Sequence, residues 1–149
     1  MADRLHKRIA EIYFYKIWNQ RDFRLTPFLF SDCCITRHIC SGQGEEKMCD
    51  PEGINDYIKV WITGFPNLKV KINRIVSDGN NLSTYCTLSG THQGEWRGIK
   101  PTGKFVIVEM MMIHRICKGK ISENLIMTDY LGIYQQLGVI RRHEQIEIT

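Results

Sequence analysis

Three sets of residues in this chain have types and spacings that could do chemistry. The stretch "GIKPTGK", Gly98 to Lys104, fits the G-x-x-x-x-G-K spacing of a phosphate-binding loop, with Phe105 where the metal-binding Ser or Thr belongs. Cys34, His38 and Cys40 lie at even spacings, with Cys33 and Cys49 nearby. On a strand those three side chains share a face and could converge on zinc. Imidazoles at His38, His92 and His114 could carry protons near neutral pH.

Context decides the first two. A working phosphate loop joins a strand to the N-terminus of a helix, whose free N–H groups hold the phosphates. Here "FVIVEMMMI" follows Lys104, a β-branched and apolar run that reads as a strand, and Pro101 removes a backbone donor. Nucleotide binding is therefore not expected. The six cysteines (Cys33, Cys34, Cys40, Cys49, Cys86, Cys117) include no C-x-x-C pair. They read as small apolar thiols beside a hydrogen-bonded His38, with no metal and no cofactor expected.

Composition bounds the rest. The 149 residues, 43% apolar and 24% charged, suit one globular domain over residues 1–149, with 140–149 as a loose extension. A net charge of +4 is spread along the chain without interleaved aromatic platforms, so nucleic acid is not an expected partner. No apolar run approaches the roughly 20 residues of a membrane span. The charged N-terminal stretch lacks a signal-peptide segment, which leads us to expect a cytoplasmic protein with reduced thiols.

The elements that must position these residues follow from periodicity. A helix is predicted over residues 4–20, with Leu5, Ile9, Ile12, Tyr13 and Ile17 on one stripe. "FRLTPFLF" is a shorter helical piece, "CCITRHIC" a strand and "SGQGEEKMCDPEG" a loop. Pro51 to Thr63 forms a second helix with Ile54, Tyr57, Ile58 and Trp61 on one face. Strands follow in "LKVKINRIV", "LSTYCTLSGTH", "FVIVEMMMIHRI" and "ISENLIMTDYL", then the amphipathic tail "LGIYQQLG". Helices first and a meandering antiparallel sheet second give an α+β domain, one sheet curved over a few helices.

Two of these stretches carry a resemblance. "SGTHQGEWRGIKPTGK" and "HRICKGKISENLIMTDYLGIYQQLG" are similar to the signature of the SnoaL-like polyketide cyclases. These and the related ester cyclases belong to the nuclear-transport-factor-two-like (NTF2-like) superfamily. The matching positions include Gly90, Thr91, His92, Gly94, Gly98, Pro101, Thr102 and Gly103. Downstream, Arg115, Gly119, Lys120, Glu123, Asp129, Gly132, Gln135, Gln136 and Gly138 match as well, and the likeness spans residues 5–139. It implies a cone-shaped curved antiparallel sheet wrapped around N-terminal helices, enclosing an apolar pocket, in a protein that often dimerises through the sheet. It also implies an aspartate acid/base with a nearby histidine, closing a polyketide ester by an intramolecular aldol step. A carboxylate in an apolar pocket has a raised pKa and can take and return a proton near neutrality.

This sequence departs from that pattern. The aspartate position is Ile126 and the histidine position Met112, and neither can move a proton. Asp129 has the opposite strand parity and reads as structural. Parity places Val106, Val108, Met110 and Met112 on the pocket face, with His114 near the rim, and Ser122, Asn124, Ile126 and Thr128 on the next strand. Glu109 falls on the outer face. His38, His92 and Asn124 are the catalytic candidates; Asn124 could polarise a carbonyl, and His92 could equally be a structural hydrogen-bonder. Tyr13, Trp18, Tyr57, Trp61, Met110, Met112 and Ile126 are the candidate contacts for a hydrophobic small-molecule ligand, although methionines and aromatics at such positions also serve as ordinary core. The expected function is a cyclase, isomerase or hydrolase acting on a hydrophobic carbonyl or ester without the Asp/His pair. A non-catalytic metabolite binder and a dimeric interaction module are the alternatives.

Overall fold

The structure, a computed structural model, describes residues 2–39 and 46–141. Cys40 and residues 142–149 lie outside this range, so the zinc grouping and most of the expected C-terminal extension fall beyond the described residues.

The chain begins with helix α1 (Ala2–Glu11), which runs directly into a π-helix over Ile12–Asn19. The predicted single helix over residues 4–20 is thus two elements. The α-stripe places Leu5 inward, yet Leu5 is exposed and His6 is buried. The change to wider i→i−5 bonding, seen as Gln20 N–H donating to the Tyr15 carbonyl, puts Tyr13, Phe14, Ile17 and Trp18 on one buried face. A 3₁₀ turn (Phe23–Leu25) and the short helix α2 (Thr26–Leu29) lead into strand β1 (Phe30–Ile39). Strand β2 (Glu46–Cys49) occupies part of the segment expected to be a loop, because it pairs antiparallel with β1. Helix α3 (Pro51–Gly64) starts where its sequence predicts. Asp50 caps it by accepting from Gly53 N–H, and Pro51 fits the first turn, where no amide donor is needed.

Four strands complete the sheet: β3 (Lys69–Asp78), β4 (Asn81–Thr91), β5 (Phe105–Cys117) and β6 (Lys120–Thr128). Helix α4 (Tyr130–Gln136) follows. The order is β2-β1-β6-β5-β4-β3, a curved, unclosed six-stranded sheet with helices on its concave side. The α+β class holds, with one correction. The sheet is mixed, because β1 pairs parallel with β6 rather than antiparallel.

Alternation along β5 is strict: Val106, Val108, Met110, Met112 and His114 are buried, and the residues between them are exposed. β6 follows the same parity through Asn124, Ile126 and Thr128, but a bulge opposite Arg115/Ile116 breaks it near the turn. Ile121 is therefore the buried residue there. Ser122, expected on the pocket face, instead donates to the Arg115 carbonyl.

Open edges are closed by side-chain amides. Asn19, at the end of the π-helix, accepts from Val70 N–H at 2.7 Å and donates to the Val70 carbonyl at 2.8 Å, covering the free edge of β3. Where β6 stops short of β5, Gln136 does the same for Ile107, accepting at 2.9 Å and donating at 2.8 Å. This is what the second glutamine of "YQQLG" does. Asp129 caps α4 by accepting from Gly132 N–H at 2.9 Å, the structural role that the resemblance implies for it. Replacing Gln136 with Ala removes both bonds to Ile107, so we expect a loss of about 1–2 kcal/mol in urea unfolding with the slope unchanged.

Candidate functional site

Strand register fixes the inward rows of the concave face, three of which carry the polar groups. One holds Cys86, Met110 and Thr128. The next runs Thr84, Met112, Ile126, His38, and the third Leu82, His114, Asn124, Thr36. Met112 and Ile126 are direct cross-strand partners. The two positions that the resemblance assigns to histidine and aspartate thus do meet, but as an apolar pair. One rung along the same strands, on the same face, stand His114 and Asn124.

That pair is connected. Asn124 Oδ1 accepts from His114 Nδ1, and Thr84 Oγ1 lies 3.0 Å from His114 Nε2. With the amide oxygen on Nδ1, the ring hydrogen must sit at Nδ1, so Nε2 accepts from the threonine hydroxyl. Burial pushes the His114 pKa down to about 4, against a smaller upward pull from Asn124, so the ring is neutral at physiological pH. Parity predicted that His114 faces inward; its expected place near the rim is corrected, because the ring is fully buried. The signal that identifies it is its register opposite Asn124.

The π-helix supplies the roof. Tyr13 packs edge-on to His114 at 5.8 Å between ring centres, to Phe30 at 5.1 Å and to Trp18 at 6.2 Å. The Trp18 indole N–H and the Asn124 amide lie towards the Tyr13 hydroxyl, opposing the rise in its pKa that burial causes. Yet Tyr13 Oη, Trp18 Nε1 and Asn124 Nδ2 are all buried without closing a hydrogen bond. A buried polar group that no partner reaches costs about 1–3 kcal/mol.

A second polar station stands nearer the open side. Tyr57 contacts Trp18 at 5.9 Å and His38 at 4.8 Å, with its hydroxyl enclosed and facing Trp61 and Thr128. Burial lowers the pKa of half-buried His38, and the charges of Lys47 and Arg97 push the same way. His38, Tyr57, Trp18, Tyr13 and Asn124 therefore form one line from rim to floor, with Met110, Met112 and Ile126 as its apolar wall.

His92 and Trp61 belong to a different cluster. His92 Nδ1 accepts from Thr102 N–H at 3.2 Å, and its ring packs on Phe65 at 5.3 Å. Its backbone ties the loop to Lys104 and Gly103. It organises the 92–104 segment, the structural alternative for this residue. Trp61 stacks among Phe65, Trp96 and Tyr130 at 5.1–6.2 Å and touches the candidate site only through the Tyr57 hydroxyl. Two glycines make this cluster possible: a Cβ on Gly94 would lie 1.9 Å from the Thr63 carbonyl, and one on Gly64 2.5 Å from Trp96. Among the described residues, no group of three or more His, Cys, Asp or Glu side chains is arranged to hold a metal.

With this geometry, comparison with known proteins becomes informative. The sequence model of the SnoaL-like polyketide cyclases matches residues 9–137. The chain belongs to that family. A candidate SnoaL-like polyketide cyclase from Jannaschia sp. CCS1 superimposes with a TM-score of 0.80 at 20% identity, covering 92% of this chain and 94% of its own. IdmH, a candidate polyketide cyclase from Streptomyces antibioticus, gives 0.75 at 24%, over 90% and 98%. AclR, a candidate hydroxylase from Streptomyces galilaeus, gives 0.78 at 19%, over 95% and 85%. Among curated proteins none matches. At these identities the structures establish the NTF2-like fold, and one fold carries proteins named for different reactions.

The buried imidazole gives a pH prediction. Its folded pKa is depressed, so the unfolded chain takes up the proton near 6.5 and the folded chain only near 4. The stability it provides is complete above that upper value and is lost as pH falls towards the lower one, roughly 3 kcal/mol in all. His38 adds a slope of the same sign. Urea unfolding between pH 7 and 4 should show the decline, and His114→Gln should flatten most of it.

Proposed function

We propose that this protein is a small-molecule enzyme acting on a hydrophobic carbonyl or ester held in the concave site, by chemistry that does not use the family's Asp/His pair. The observation that carries this reading is the line from His38 to Asn124: orphaned polar atoms at an apolar floor, and a neutral imidazole at the rim. Tyr57 Oη and Thr128 Oγ1 beside this line are unpartnered as well, and buried polar groups left unpaired call for an explanation. With Ile126 in the aspartate position, His38 is the group we assign to proton transfer. In that step an α C–H bond breaks, its proton passes to the imidazole, its electron pair forms a C=C bond, and the carbonyl pair moves onto oxygen. Isomerisation and aldol-type cyclisation both begin this way.

A second reading, a non-catalytic binder of the same class of molecule, is favoured by one fact: no carboxylate lines the described interior rows. Loss of turnover in His38→Ala with ligand affinity retained supports the enzyme; unchanged turnover removes His38 from it.

We also propose that the protein works as a homodimer formed through the outer face of the sheet. Ile39, Met127 and Met111 are exposed side by side in one outer row and line a cleft of about 710 Å³, with Ile113 exposed one rung further along β5. Exposed apolar side chains grouped in this way mark a surface for association. Glu109 and Arg115 stand towards opposite ends of β5's outward row, so a two-fold copy running antiparallel matches unlike charges.

Both readings are testable with methionine-methyl labelling, because inward and outward methionines alternate on β5. On addition of 2-acetylnaphthalene we expect the Met110 and Met112 methyl signals to shift at one ligand per chain. Shifts confined to Met111 and Met127 would move the site to the outer cleft and sink the proposal. For the assembly, Ile113→Glu is expected to convert the dimer to monomer in sedimentation velocity, and a wild-type monomer would overturn the interface.

A further inference from the structure

We infer that Cys34 and Cys49 form a reversible disulfide across the β1–β2 pair, a redox clasp that ties the edge strand and the start of α3 to the sheet. The bridge does not depend on what occupies the concave site. Cys34 and Cys49 are direct partners on neighbouring antiparallel strands. Residues so placed have Cα atoms about 4.5–5.5 Å apart and side chains on one face. A disulfide needs about 4.4–6.8 Å between the same atoms, so the backbone need not move. Both are free thiols, Cys34 buried and Cys49 half-buried, and the charge of a Cys49 thiolate reaches Cys34.

Among the described residues, no other register pairing joins two cysteines. Cys33 is exposed on the opposite face of β1, Cys86 lies buried on β4, and Cys117 is exposed at the end of β5. The location gives the bridge its consequence. β2 is a four-residue edge strand whose one neighbour in the sheet is β1. Short edge pairings of this kind open readily. Asp50, next to Cys49, caps α3, and Gly53 of the first helical turn sits close over the cysteine: a Cβ there would lie 3.5 Å from the Cys49 Cβ. Lys47, whose charge bears on His38, is on the same short strand. Oxidation therefore fixes the edge strand, the start of α3 and the rim around His38 together.

The oxidant is a low-molecular-mass disulfide of the glutathione class. The Cys49 thiolate attacks one of its sulfurs, the S–S bond breaks, and one glutathione leaves as a thiolate that takes up the proton Cys49 had lost. Cys34 then gives up its proton and attacks the Cys49 sulfur of the mixed disulfide. The second glutathione leaves and takes that proton. Two protein thiols are oxidised and one disulfide is reduced to two thiols. Burial pushes the Cys34 pKa up to about 11, against a smaller downward pull from the Thr36 hydroxyl 3.9 Å away, so Cys34 is a poor first nucleophile. Half-buried Cys49 is the entry point, and Cys34 resolves the intermediate because register holds the two residues together.

The test equilibrates the folded protein in mixtures of reduced and oxidised glutathione, blocks the remaining thiols with iodoacetamide, and maps linked residues by peptide fragmentation in a mass spectrometer. Cys34–Cys49 should be the linkage that forms, dithiothreitol should reverse it, and Cys33→Ser should leave it unchanged. A bridge over this span restricts the unfolded chain, so oxidation should raise the urea midpoint by roughly 1 M. In Cys34→Ala, Cys49 should stop at the mixed disulfide, with no rise in the midpoint. Cys49→Ser removes the same shift from the other side of the pair should Cys34→Ala fold poorly. A bridge from Cys49 to Cys33 or Cys40 refutes the pairing. Wild-type protein that stops at the mixed disulfide refutes it too, as does a Cys34–Cys49 linkage that forms only in urea, where the strands no longer hold the residues together.

Discussion

The structure depends on one packing constraint: four consecutive-turn side chains of the π-helix must all reach the concave face of a curved sheet. On an α-helix Tyr13, Phe14, Ile17 and Trp18 would span an arc of roughly 140°, and the wider π-turn narrows it. The wider turn brings all four inward, and each is at most 1% exposed. The helix can hold this less common geometry because its end is fixed from outside. The Asn19 amide pairs with both backbone groups of Val70, and the Tyr15 hydroxyl accepts from Ile72 N–H at 3.4 Å. Shielding the edge of β3 and roofing the concave site are the same event.

Much of this was legible in the sequence, for physical reasons that can be named. Period-two alternation in "FVIVEMMMIHRI" gave the inward set of β5 without error, because that strand has neighbours on both sides and a buried face. Asp50 before Pro51 and Asp129 before α4 are local capping signals that need no tertiary information, yet the alternation read in "ISENLIMTDYL" carried the strand past Thr128, where β6 ends, into the first turn of α4. What was hidden depends on partners distant in sequence. The π-turn is decided by what the helix packs against, so an α-periodic reading placed Leu5 inward and left Phe14 out. β2 is a strand only because β1 offers an edge. The bulge that turns Ser122 aside arises from the tight Lys118–Gly119 turn and the register it imposes.

The site was half legible for the same reason. Strand parity put Asn124 and His114 on the inner face, but only register shows them to be opposite each other. The distinction matters chemically. A lone buried histidine near a rim suggests a base. A histidine bonded at both nitrogens, to an asparagine oxygen and a threonine hydroxyl, has no free lone pair to accept a substrate proton and no reason to be charged. Its contribution is orientation, and the residue whose reactivity it sets is Asn124.

Alternation also ties the two faces of the sheet to each other. Every inward residue of β5 that shapes the concave site is flanked by an outward residue that belongs to the apolar outer face: Met112 lies between Met111 and Ile113, and His114 between Ile113 and Arg115. Backbone positions on this strand therefore answer to two packings at once. A dimer that holds the outer face flat also holds the spacing of His114 and Asn124 on the inner one, because the strand pair β5–β6 carries both. Side chains bonded as His114 is to Asn124 and Thr84 tolerate only small displacements before their hydrogen bonds weaken. The His114–Asn124 pair sits on these central strands rather than on the 92–104 loop, so an interface on one side of the sheet can supply rigidity to the polar pair on the other.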